Sequence, residues 1–71
     1  MITKLDRTDP SIQRLVGTVG EDVERWYEEC AAANMSLRQI AARGDVSHEV
    51  VARHLHRLGY TWRAGWVREA A

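Results

Sequence analysis

The chain has 71 residues, ten acidic and ten basic side chains, and one cysteine. That length allows one small domain, with roughly 60% of the unfolded chain's surface buried at best. The lone Cys30 excludes a disulfide framework, and without a long apolar run or a leader-like segment we expect a cytoplasmic, nucleoid-associated protein and no membrane partner.

Asp9 followed by Pro10 is a helix-start signal, because proline fits the first helical position. After it, Ile12, Val16, Val19, Val23, Trp26 and Cys30 recur at spacings of 4, 3, 4, 3 and 4, a heptad-like seam that Leu15 and Tyr27 widen. Read as one helix, residues 10–33 outreach a compact motif, and the excess would pair with a second protomer. Gly17 and Gly20 favour a split into two helices, with Thr18 and Glu21 as a new capping box. In either case residues 9–34 read as support, with Ile12, Val16, Val19, Val23 and Trp26 as the core or dimer seam. A homodimer is expected, since so small a core is marginal. Glu21, Asp22, Glu24, Glu28 and Glu29 make this half acidic, and the first three suit an early helical turn.

Residues 36–58 read as two short helices and a tight turn. Ser36 caps the first and Gln39 completes a capping box; Met35 and Ile40 close a hydrophobic staple. This helix runs from Leu37 to about Arg43, where Gly44 and Asp45 break it. Ser47 caps the second helix, Val46 and Val51 staple it, and Gly59 follows its end near Leu58. At about 100° per residue, Val51, Leu55 and Leu58 form one stripe. Glu49, Arg53 and His56 point the opposite way, with Ala52 and Arg57 at the flanks. These side chains suit hydrogen bonding to base edges or phosphates. Glu49 and Arg53 also read as an ordinary i,i+4 ion pair worth only about 0.2–0.5 kcal/mol.

From Leu37 to His56 the segment resembles the helix-turn-helix of the lac-repressor and resolvase/invertase type. Ile40, Ala41, Val46, Ser47, Val51 and Arg53 stand at that family's usual places. The stretch HLHRLGYTWR, His54 to Arg63, also resembles the DNA-binding front end of some transposases. The likeness covers 20 of the 71 residues. Two positions depart from it: the turn glycine is Asp45, with Gly44 one place early, and the apolar residue late in the second helix is His54, so that Leu55 takes over the packing. The resemblance implies double-stranded DNA as partner, with helix 47–58 in the major groove. His48, Glu49 and Arg53 become base-reading candidates, and His56 joins them on the same face. Ser36, Arg38, Arg43, Ser47, Arg57, Thr61 and Arg63 are the candidate phosphate contacts.

The charge distribution agrees. Residues 1–35 carry four basic and seven acidic side chains, net −3; residues 36–71 carry six arginines against Asp45, Glu49 and Glu69, net +3. Three histidines in the second half would add charge below about pH 6.5. Arginine suits bidentate contact with phosphate and guanine.

The tail, residues 60–71, alternates on both sides of Ala64-Gly65. A short hairpin, or wing, placing Arg63 or Arg68 at the DNA backbone stands beside an extended tail whose Trp62 and Trp66 close the core.

Catalytic sets are missing. His48-Glu49 opens like a helical zinc-protease motif, but that motif needs histidine where the chain has Ala52. His54 and His56 point to different helix faces, and no glycine-rich phosphate loop follows a strand. We therefore expect no enzyme, no cofactor and no metal. The expected fold is a single all-α domain, a small tri- to tetra-helical helix-turn-helix bundle with or without the hairpin. The expected function is that of a small transcriptional regulator of a phage or mobile element, Cro-like or excision-controlling. The competing class is a helix-turn-helix-shaped module that docks on the transcription or recombination machinery.

Overall fold

The computed structural model describes residues 4–68. Four helices, α1 (Pro10–Val19), α2 (Val23–Ala32), α3 (Leu37–Gly44) and α4 (His48–Arg57), precede a hairpin of β1 (Tyr60–Trp62) and β2 (Trp66–Arg68). Residues 69–71 of the expected tail lie outside the described residues. No helix among the described residues is long and apolar enough to cross a membrane.

Local chemistry sets most boundaries. Asp9 caps α1 through Ser11 N–H, with Pro10 at the first position. The seam does divide into two helices, at the second of the two glycines, but without the Thr18–Glu21 capping box. Gly17 and Thr18 lie inside α1, where the Thr18 hydroxyl donates to the Arg14 carbonyl at 3.1 Å. The break comes at Gly20, whose φ of 101° few other residues adopt. Asp22, rather than Thr18, caps α2 by accepting from Arg25 N–H. Asn34, at φ 57°, closes α2, and Met35 N–H reaches the Cys30 carbonyl across it.

The caps of α3 and α4 form as read. Ser36 and Gln39 make both bonds of the capping box, and Ser47 accepts from Val50 N–H. The turn between them corrects one expectation. Gly44 is helical, and the left-handed residue is Asp45 at φ 54°, ψ 43°. Gly44 is required by space: a Cβ there would stand 2.7 Å from a methyl of Leu15 and 3.0 Å from the Trp26 ring.

The core lies between the two helix pairs. Leu5, Ile12, Leu15, Val23, Tyr27, Ile40, Val51, Leu55, Leu58 and Tyr60 are buried together. Of the seam, Ile12 and Val23 are fully enclosed in the chain's own core, and Val16, Val19 and Trp26 pack partly buried against it. α3 packs most extensively on α4, α1 on α2 and α3, β1 on α4, and β2 on α2. The hairpin pairs Tyr60 with Arg68, Thr61 with Val67 and Trp62 with Trp66. Both tail expectations hold in part, since the hairpin forms and one tryptophan seats it. Trp66 Nε1–H donates to the Met35 carbonyl at 2.6 Å, while Trp62 stays 49% exposed.

Candidate nucleic-acid interface on helix 4

Helix α4 separates its faces sharply. Val51, His54 and Leu55 are buried, with Leu58 at the cap, and His48, Glu49, Arg53, His56 and Arg57 are exposed. The four base-reading candidates thus share the solvent side of one ten-residue helix. Glu49 and Arg53 do not form the ion pair their spacing suggested; the i,i+4 pair that does form is Arg25 with Glu29, at 3.4 Å on α2. Among the described residues, Arg38, Arg43, Arg53 and Arg57 have no salt-bridge partner.

The phosphate candidates fall around this face in different ways. Ser36 and Ser47 are exposed, and each hydroxyl oxygen already accepts a backbone N–H as a cap, which leaves the hydroxyl hydrogen to donate outward. Arg38 and Arg43 stand at the two ends of α3, both exposed. Thr61 is exposed on β1, and Arg63 is exposed at the start of the loop that joins the strands. Arg68 is engaged with the domain itself. Its guanidinium lies 5.1 Å from the centre of the Tyr60 ring, and its Nε–H donates to the Leu58 carbonyl at 3.2 Å. Arg68 nevertheless remains exposed.

Two carboxylates border the arginine flank. Asp9 lies near Arg53 and Asp6 near Arg57. Both carboxyls are held below their ordinary range, first by hydrogen bonds from Ser11 and Thr8 respectively, with the arginine charge a smaller contribution.

Three features of the site's surroundings were not legible beforehand. The first is His54, placed by sequence at the margin of the core but 1% exposed within it. Its Nδ1 is 2.8 Å from the Tyr27 hydroxyl and its Nε2 is 3.0 Å from the Ser11 hydroxyl. Burial, first of all, keeps its pKa below the ordinary value. It adds no cation to the surface, leaving His48 and His56 as the exposed histidines. The only early signal was a histidine at a normally apolar position. The second is Glu24, which lies buried beneath the acidic face. It accepts Leu5 N–H at 2.8 Å and both Arg7 nitrogens at 2.7 and 2.6 Å. The Arg7 hydrogen bond brings its carboxyl down to about 2. Nothing in local spacing foretold that partner 17 residues away. The third is an apolar groove between α3 and the hairpin, lined by Ser36, Leu37, Arg38, Trp62 and Trp66.

Cys30 is a buried free thiol whose pKa burial raises, the environment of a packing residue rather than of a nucleophile. No group of three or more His, Cys, Asp and Glu among the described residues is placed to hold a metal ion. No family model matches the sequence, no curated protein matches it, and no solved structure matches the chain.

Proposed function

We propose that the chain is a sequence-specific reader of double-stranded DNA that lays α4 in the major groove, with α3 and α4 acting as a helix-turn-helix and the hairpin as a small wing. The observation that carries this reading is the exposed, unpaired face of α4: Glu49, Arg53 and His56 together, with His48 at the helix start. An α-helix fits the major groove, and side chains of these kinds match the donor and acceptor patterns of base edges. Ser36, Arg38, Arg43, Ser47, Arg57, Thr61 and Arg63 would meet phosphates on either side. The Cro-like or excision-controlling role, on a pseudo-palindrome with half-sites about 34 Å apart bound by a twofold dimer, belongs to the same proposal.

Selection of bound duplexes from a random pool tests it. A palindromic consensus is the expected outcome, with affinity that falls as salt rises. Arg53→Ala should then cost about 1–3 kcal/mol and blunt preference at one base position, whereas Arg38→Ala and Arg43→Ala should weaken all duplexes alike and flatten the salt slope. No enrichment and no salt slope would sink the proposal. That result would favour a protein partner, a reading to which the exposed Trp62 beside the apolar groove lends support.

A further inference from the structure

His54 is an ionisable group enclosed by three helices. Around it run four side chains in series. Asp9 Oδ1 lies 2.7 Å from Ser11 Oγ, Ser11 Oγ lies 3.0 Å from His54 Nε2, and His54 Nδ1 lies 2.8 Å from Tyr27 Oη. Counting hydrogens fixes the direction of each bond. An ionised carboxylate only accepts, so the single hydroxyl hydrogen of Ser11 goes to Asp9. The Ser11 oxygen must then accept from His54, which places the imidazole proton on Nε2. Nδ1 is left as an acceptor, and the Tyr27 hydroxyl donates to it. Every side-chain hydrogen along the series finds an acceptor, and Asp9 Oδ1 also takes the Ser11 N–H.

A second imidazole proton breaks this order. Nδ1–H would then point at the Tyr27 oxygen, and the Tyr27 hydrogen would have to turn away. Tyr27 is fully buried, and His54 is its one hydrogen-bond partner among the described residues. We propose that His54 is a positioning residue and a proton gate on the seating of α4. Neutral, it ties α4 to α1 through Ser11 and to α2 through Tyr27; protonated, it reverses the Tyr27 bond and leaves the buried Tyr27 O–H without an acceptor, which loosens α4 from the rest of the domain.

The charged and titratable groups that face the imidazole are few. Asp9, from the start of α1, favours the cation. Arg53 and Arg57, on α4 itself, oppose it. Tyr27, on α2, stays neutral because burial pushes its pKa far up. Burial outweighs Asp9, so the folded chain holds His54 neutral at pH values where an unfolded chain's imidazole takes a proton. Above about pH 6.5 both states are neutral and the gate costs nothing. Below it the unfolded state binds the extra proton, and stability falls with pH until the folded imidazole titrates as well. The gate does not depend on what α4 binds.

The test is urea unfolding of the whole chain, followed by tryptophan fluorescence at pH 7.5, 6.5 and 5.5. The folded-to-unfolded ratio should fall from pH 7.5 to 5.5 through this one group, by at most about tenfold, the limit set by the unfolded imidazole. His54→Leu, which keeps most of the bulk, should lack that step. If the step persists in His54→Leu, the gate is overturned. Should that variant not fold, nitrogen-15 spectra of the histidine rings in the unaltered chain decide. His54 should show the Nε2–H tautomer at pH 7.5 and take its second proton only below pH 6.5, and that protonation should shift the α4 amides together with that of Tyr27. An Nδ1–H tautomer, or protonation that leaves the α4 amides unmoved, would refute the proposal.

Discussion

Gly44 and Asp45 divide a task that a single glycine often carries. The left-handed conformation falls on Asp45, which tolerates it better than most residues. The close approach falls on Gly44, against Leu15 and Trp26. A pair of alanine substitutions separates these causes. Gly44→Ala should destabilise by about 1–3 kcal/mol, because its Cβ meets a side chain already packed in the core. Gly17→Ala meets nothing within 4 Å in the last turn of α1 and should stabilise by about 0.5–1 kcal/mol. Urea midpoints of the two variants should therefore move in opposite directions. A residue string reveals that a glycine is present but not whether space or φ demands it, since the neighbours that crowd Gly44 lie 29 and 18 positions away.

Elements defined by caps were the most legible. The Ser36–Gln39 box and the Ser47 cap act within three residues, so the boundaries of α3 and α4 could be read directly. The α1–α2 break was legible only as a break. Its position depended on Asp22 winning the cap over Thr18, whose hydroxyl is taken up inside α1. The hairpin could not be decided from its own residues, because two strands of three residues are marginal alone. It is held by bonds to backbone outside itself, Trp66 to Met35 and Arg68 to Leu58, with Trp62 edge-on to Trp66 at 5.0 Å inside the hairpin. Trp66→Phe removes the first of these and should cost about 1 kcal/mol. Amide exchange should then quicken across residues 60–68 while α4 keeps its protection. Equal quickening in α4 would mean that the hairpin and α4 open as one unit.

Across the whole molecule, buried charge ties the first described residues to α2. Leu5 is 4% exposed, and its N–H, together with the Arg7 fork, ends on the Glu24 carboxylate. The folded state holds this carboxyl at about 2, well below the 4.5 of an unperturbed glutamate. A depressed carboxyl pKa gives stability that is present above about pH 4.5 and lost as pH falls towards 2. One unit corresponds to about 1.4 kcal/mol, so the acid-labile contribution is on the order of 2–3 kcal/mol, allowing for the partly exposed Arg7. Glu24→Gln should flatten acid unfolding between pH 4.5 and 2 and leave the step expected of His54 below pH 6.5 in place. Unchanged acid unfolding in that variant would show that the pair does not anchor the N-terminal segment.

By itself the sequence determined what short-range physics controls: a bundle of three or four helices, the caps of α3 and α4, and the two faces of α4 with Glu49, Arg53 and His56 outward. Those outcomes depend on neighbours within about one helical turn. The tertiary structure decided the remainder: that the apolar seam of α1 and α2 closes on the chain's own core, that the hairpin forms, that Glu24 is buried beneath an acidic surface, and that His54 is an anchor rather than a surface cation. Each needed a partner far along the chain, such as Ser11 for His54 or Arg7 for Glu24. Burial turned polar residues that read as surface chemistry into the bonds that hold α4 and the N-terminal segment in place.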